Sequence, residues 1–228
     1  MDPLPHRDTA TIAGEFDAIA RVLAASTLPD RLTAAERHVV ERVPAAARRV
    51  LDAGCGAGAV SRALARRGAS VLGLDVSPAM VELARARVGG DARLEYRIAD
   101  LANEPLPDGA FDAVVSVATV HHLPLASIVP RLAAAVAPGG VLLVQDVMTR
   151  HSPLDLPWAL AAAAMRRLRA LGGDAPPRAL RDAYNAHGAG ERYLDAREVA
   201  PAYRALLPGA TMRLHLEWRY TVEWRRPG

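Results

Sequence analysis

In the stretch VLDAGCGAGAVSRAL (50–64), four mostly apolar residues run into Gly54, Gly56 and Gly58 and then into a helical pattern. Glycines at a strand-to-helix turn let a ligand pack directly against backbone. The helix start beyond them offers unpaired N–H groups and a positive end, which suits a carboxylate or phosphate. Asp52 stands just before this turn, and Asp75 and Asp100 follow at the ends of two further strand-like runs. Glycine spacing alone leaves two ligand classes open. Gly54-x-Gly56-x-x-Ala59, with an acid 21 residues after Gly54, also fits a dinucleotide fingerprint. Asp52 favours the other class, because a carboxylate there would crowd a pyrophosphate yet suits a cation such as a sulfonium amino acid.

The elements that must position these residues follow from the apolar period. Residues 9–25 place Ile12, Phe16, Ile19, Ala20 and Leu23 at helical spacing, and Thr33 with Glu36 forms a capping box for a second helix. From residue 49, strand and helix alternate five times. Strands are expected at 49–53, 69–75, 92–100, 111–119 and 141–147, with helices at 60–68, from Ser77–Pro78 to about Val88, and at Leu125–Ala137. Such alternation predicts an α/β fold with a parallel sheet covered on both faces. Beyond it lie a helix near 155–171, a flexible GGDAPP (172–177), a short segment near 178–187, and a helix opened by the capping box DARE (195–198). The tail TMRLHLEWRYTVEWRR (211–226) reads as a hairpin turning near Trp218, although no glycine marks the turn.

Composition narrows the function classes. The net charge is only +3 and the arginine pairs are scattered, so nucleic acid is not an expected partner. Cys55 is the single cysteine, which rules out an intrachain disulfide and a cysteine-based metal cluster; no metal is expected. No secretory pattern opens the chain and no apolar run approaches a membrane span, so a cytoplasmic protein without membrane contact is expected.

Taken as a set, VLDAGCGAG (50–58), VLGLDVSPAMVELAR (71–85), IAD–LANEPLPDGAFDAVVSVATVHHLP (98–124) and LAAAVAPGGVLLVQDV (132–147) resemble the class I S-adenosylmethionine-dependent methyltransferases, in their small-molecule branch. The resemblance implies a Rossmann-like seven-stranded sheet of order 3-2-1-4-5-7-6, with the seventh strand antiparallel. It implies a single domain: a helical lid (1–47), a cofactor core (48–147), a substrate-region insertion (148–198) and a closing helix and strands (199–228). S-adenosylmethionine would leave as S-adenosylhomocysteine. Asp52, Ala53, Gly54, Cys55 and Gly56 would hold the methionine end, with Val117 and Ala118 lining it. Asp75 would take the ribose hydroxyls, Val76 and Met80 would lie along the cofactor, and Asp100 would accept from the adenine amino group beside Leu101.

Methyl transfer from a sulfonium is a direct displacement in which much of catalysis is alignment. A base is needed only when the acceptor must lose a proton. His121, His122 and Asp146 are the candidates for that work, against a structural reading in which the histidines cap or pack the next helix. A small-molecule acceptor is expected to meet Phe16, His122, Met148, Trp158, Met165, Tyr184 and His187; Trp158, Met165 and Tyr184 equally suit anchoring of the insertion to the core. A nicotinamide-dependent oxidoreductase and a non-catalytic, cofactor-binding scaffold remain the alternatives.

Overall fold

The computed structural model describes residues 7–26, 32–149, 156–171 and 176–228. Residues 1–6 and 172–175, expected as loose segments, lie outside the described residues, as do 150–155 of the insertion.

Two helices, α1 (Thr9–Ala24) and α2 (Ala34–Arg42), precede the sheet, and the Thr33–Glu36 capping box is formed in both directions. The core then runs β1 (Arg49–Ala53), α3 (Ala59–Arg66), β2 (Ser70–Asp75), α4 (Pro78–Ala86), β3 (Leu94–Ile98), β4 (Phe111–Val117), a 3-10 turn (Val120–His122), α5 (Leu125–Ala135) and β5 (Val136–Val147). It continues through α6 (Leu156–Leu171), α7 (Arg178–Gly188), α8 (Ala196–Leu206), β6 (Thr211–His215) and β7 (Arg219–Arg225). The sheet has seven strands in the order β3-β2-β1-β4-β5-β7-β6. β7 runs antiparallel to both β5 and β6, while the first five strands pair in parallel.

The central strands read as apolar runs because both faces are covered. Leu51, Leu74, Val114, Leu142 and Val144 face one core, closed by Ile128, Val129 and Leu132 of α5 and Val199 and Tyr203 of α8. Val50, Val71, Ala113, Val115 and Leu143 face the other, closed by Val39 and Val40 of α2 and Val60 and Leu64 of α3. Truncating a fully buried leucine such as Leu51 to alanine would cost roughly 2–5 kcal/mol.

Two expectations need correction. The Pro138–Gly139–Gly140 stretch does not end a helix before a strand at 141. Strand pairing begins at Val136 opposite Phe111, bulges, and resumes at Val141 opposite Ala113. Gly140 permits this, since a Cβ there would sit 2.6 Å from the Asp112 carbonyl oxygen. The predicted third strand is trimmed to Leu94–Ile98. The tail hairpin does turn at residues 216–218, and Glu217 and Trp218 take positive φ (65° and 60°) without any glycine.

Candidate active site

The glycine turn is built from both sides. Gly54 has φ +82°, and a Cβ there would collide with the Thr119 side chain that follows β4. Backbone N–H groups of Gly54 and Cys55 donate to the Leu74 carbonyl at 2.8 and 2.9 Å, tying the turn to β2. Gly56 donates to Asp75 Oδ2 at 2.8 Å, and Ser77 N donates to Asp75 Oδ1 at 2.9 Å. Above Gly56 (φ +50°) a Cβ would meet nothing within 4 Å, so bare backbone faces open space. The N-cap of α3, Gly58, brings no side-chain cap of its own; the first turn of that helix instead meets the Asp52 carboxylate through Ser61.

The three acids take different stations. Asp75 and Asp100 are half-buried at the ends of β2 and the loop after β3. Asp100 braces that loop by accepting from Ala102 N and Asn103 Nδ2, at 2.9 and 2.8 Å. Arg131 holds it from below through the carbonyls of Leu101 and Ala102, and Leu101 itself is buried. Asp52 is 1% exposed and accepts from Ser61 Oγ at 2.5 Å. The direct grip expected of Asp52 is therefore corrected: its carboxylate lies beneath the turn, facing α3. Burial, with the nearby Asp75 charge adding and Ser61 opposing, pushes Asp52 up to about 7. Burial also raises Asp75, opposed by the Ser77 and Gly56 N–H groups. Ala53 and Cys55 are buried, and Met80 packs with α1 residues Ile19 and Ala20. Val76, Val117 and Ala118 stay partly exposed, and Ala118 carries a positive φ of 50° where β4 ends. Bare backbone at Gly56 and the half-buried carboxylates of Asp75 and Asp100 fit the amino-acid end and the hydroxyl and amino groups of S-adenosylmethionine.

The histidine pair meets residues from far along the chain. Asp146 Oδ1 lies 2.6 Å from His121 Nδ1, and Asp146 Oδ2 accepts from the His121 backbone N–H at 2.9 Å. His122 is 8% exposed, with Nδ1 3.2 Å from Glu191 Oε2 and Nε2 without a hydrogen bond. Burial, with His121 adding, pushes its imidazole down to about 4. His187 Nδ1 lies 2.6 Å from Glu15 Oε2. Phe16 packs against both His122 and His187, at ring-centroid distances of 5.7 and 4.7 Å, while the two imidazoles lie 5.1 Å from each other. Arg7 pairs with both Glu15 and Glu191. Burial works to raise Glu191, but Arg7 and the histidines overcome it and hold the carboxyl below its usual range.

So His121, His122, Asp146, Phe16 and His187 are brought together. Others expected at the acceptor are not. Met148 is 2% exposed and sealed in the main core, which leaves it no face for an acceptor. Met165 is 37% exposed, on a helix whose Leu156, Leu160 and Leu168 also face outward, so it forms no wall with Phe16. Trp158, on the same helix, is partly buried. Tyr184 is 45% exposed, and desolvation, with the Glu36 and Asp75 carboxylates adding, raises its phenol. Sequence reasoning missed Arg7, Glu15, Glu191 and Tyr193, the last with its ring centroid 5.0 Å from that of His121. None carries a local motif; only the tertiary fold gathers them.

A methyltransferase domain family matches residues 51–144. An uncharacterised methyltransferase of Mycobacterium tuberculosis is 32% identical over 189 residues, covering 81% of this chain and 90% of the relative. The chain belongs to the S-adenosylmethionine-dependent methyltransferases. The methyltransferase is also 38% identical over 116 residues to a ubiquinone biosynthesis O-methyltransferase of Xylella fastidiosa, covering 48% of this chain and 46% of that one. An S-adenosylmethionine-dependent methyltransferase from Mesorhizobium loti shares the fold of this methyltransferase, with a TM-score of 0.58 and 23% identity, over 85% of this chain and 98% of that one. These likenesses set aside the nicotinamide reading of the glycine turn. Among the described residues, no helix is long and apolar enough to cross a membrane.

Proposed function

We propose that the methyltransferase methylates an oxygen of a small hydroxylated organic acceptor, seated between the β4 end and the α1–α7 face. The observation that carries this reading is the contact of 2.6 Å between His121 Nδ1 and Asp146 Oδ1. A buried carboxylate at that nitrogen fixes the tautomer, directs the lone pair of Nε2 outward and favours the imidazolium formed when His121 takes a proton. An amine arriving neutral would need no such base, whereas a hydroxyl does. The O-methyltransferase name of the Xylella relative supports the same choice.

The cofactor supplies an activated methyl group with a neutral leaving group. Gly54 and Gly56 would receive its amino-acid end, with Cys55, Val117 and Ala118 along the side. Asp75 would bind the ribose hydroxyls, and Asp100 with Leu101 would receive the adenine. Asp52, one layer below, would act on the positive charge through its field rather than by contact. α1, through Phe16, would cover the acceptor and exclude water as a lid. Tyr184 and His187 of α7 would bound the other side.

The test is a methyl-transfer assay, following S-adenosylhomocysteine, with a panel of phenols, enols, carboxylic acids and amines. Turnover of hydroxyl acceptors that depends on His121 is expected. Transfer confined to amines, or hydroxyl turnover undiminished in His121→Ala, would overturn the reading.

A further inference from the structure

We propose that His121, His122 and His187 form a binding site for a divalent first-row transition metal. Sequence motifs alone gave no sign of one. Ring nitrogens of all three lie within 4.8 Å of one another, although His187 joins from a separate helix. A tetrahedral ion with metal–nitrogen bonds of about 2.0–2.1 Å sets its ligands about 3.4 Å apart. Small rotations of the rings close that difference.

Two further observations point to a ligand. His122 is more than nine-tenths buried, and its Nε2, the nitrogen opposite Glu191, makes no hydrogen bond. Leaving such a group unsatisfied is costly, and an ion at a ring nitrogen removes the cost. Each imidazole also has its own carboxylate at Nδ1: Asp146 at 2.6 Å from His121, Glu15 at 2.6 Å from His187, and Glu191 at 3.2 Å from His122. A carboxylate behind each histidine orients the opposite nitrogen and raises its basicity, as outer partners of metal-binding histidines do. Three neutral imidazoles select zinc, cobalt or nickel over magnesium or calcium. Arg7, paired with Glu15 and Glu191, offsets the carboxylate charge that would otherwise draw hard cations to the same place.

The consequence for chemistry rests on the acceptor reading above. A three-histidine ion keeps open positions, and an acceptor oxygen bound there ionises more readily. With the metal in place, the Nε2 lone pair of His121 goes to the ion, and the acceptor proton is released to water on coordination. Acceptors with adjacent oxygens that chelate would then be preferred.

The experiment uses the full chain, stripped with EDTA and titrated with Co²⁺ and with Zn²⁺, following cobalt visible absorption and heat. One equivalent should bind, with the intense visible bands of a low-coordinate nitrogen site. His187→Gln, which keeps a polar side chain in the same buried place beside Glu15, should weaken binding by more than about 100-fold, and Glu15→Gln by about 10–100-fold. S-adenosylmethionine binding and the melting temperature of both variants should stay close to wild type, which separates loss of the site from loss of the fold. Absence of a cobalt spectrum in the wild type, or binding that His187→Gln and His122→Ala both leave unchanged, would overturn the proposal. Methyl transfer by the metal-free protein is scored separately, so the acceptor reading stands or falls on its own.

Discussion

Asp146 holds His121 at two points, Nδ1 at 2.6 Å and the backbone N–H at 2.9 Å, with one oxygen for each. The same carboxylate accepts from Val147 N at 2.8 Å and is fully buried at the end of β5. Its grip therefore sets both the ring orientation and the backbone of the turn after β4.

Replacing Asp146 with asparagine keeps an acceptor near the backbone N–H but no longer favours a charged imidazole. Turnover of a hydroxyl acceptor should fall by about 10²–10⁴-fold. The dissociation constant for S-adenosylmethionine should hold steady, because Asp146 is proposed to serve the acceptor side. Steady-state kinetics beside calorimetric titration checks both halves. An unchanged kcat would dismiss the orienting role.

Asp75 ties Gly56 and Ser77 with its two oxygens while staying half-buried. Asp75→Ala removes those ties along with the proposed ribose contact, and cofactor affinity should drop tenfold or more, about 1.4 kcal/mol per factor of ten. Asp75→Asn retains one acceptor oxygen and should fall between. Calorimetry showing equal affinity in all three proteins would refute the ribose assignment.

Asp52 makes stability depend on pH. Its folded pKa of about 7 exceeds the ordinary 3.8, so between those values the native chain keeps a proton that the unfolded chain has released. Its contribution to stability is complete below the lower value and is lost as pH rises through about 7. Asp52→Asn should flatten the melting-temperature profile across this window; parallel profiles for the two proteins would count against it. A cation above the turn favours the ionised form, so S-adenosylmethionine should bind more tightly as pH climbs through the same range. The uncharged thioether of S-adenosylhomocysteine should show the weaker dependence.

Gly54 and Thr119 occupy one space between them. Gly54→Ala adds a left-handed backbone strain of about 1–2 kcal/mol to the collision with Thr119. Pairing it with Thr119→Gly removes the collision and leaves the strain. A double-mutant cycle on denaturant unfolding should give a coupling of about 1 kcal/mol or more in favour of the pair. Strict additivity would mean the turn relaxes some other way.

Much of this was legible in order along the chain, because the signals were local. Apolar runs with glycine and proline stops marked the parallel core, and the Thr33 and Asp195 capping boxes both formed. The bulge in β5 was hidden because Pro138–Gly139–Gly140 breaks a helix and accommodates an irregular strand equally well. Met165 of α6 was expected to meet the acceptor, yet it is 37% exposed, and Leu160 and Leu168 of the same helix are 62% and 64% exposed. Helical spacing of apolar residues says that a face exists, not what covers it. Glu191 and Glu15 were beyond reach for a different reason: they meet His122 and His187 across many tens of residues, and nothing in their neighbourhoods announces it.

Asp17 of α1 accepts from Ser77 Oγ at 2.5 Å and from Ala79 N at 3.1 Å, at the start of the helix that follows Asp75. The proposed lid helix and the proposed ribose-binding strand end are thus pinned together at Asp17. Lifting one disturbs the other, so the two substrates should not come and go independently. Sequential kinetics is the expected result, with the donor first to arrive and its spent form last to leave, visible as competitive product inhibition by S-adenosylhomocysteine against the donor alone.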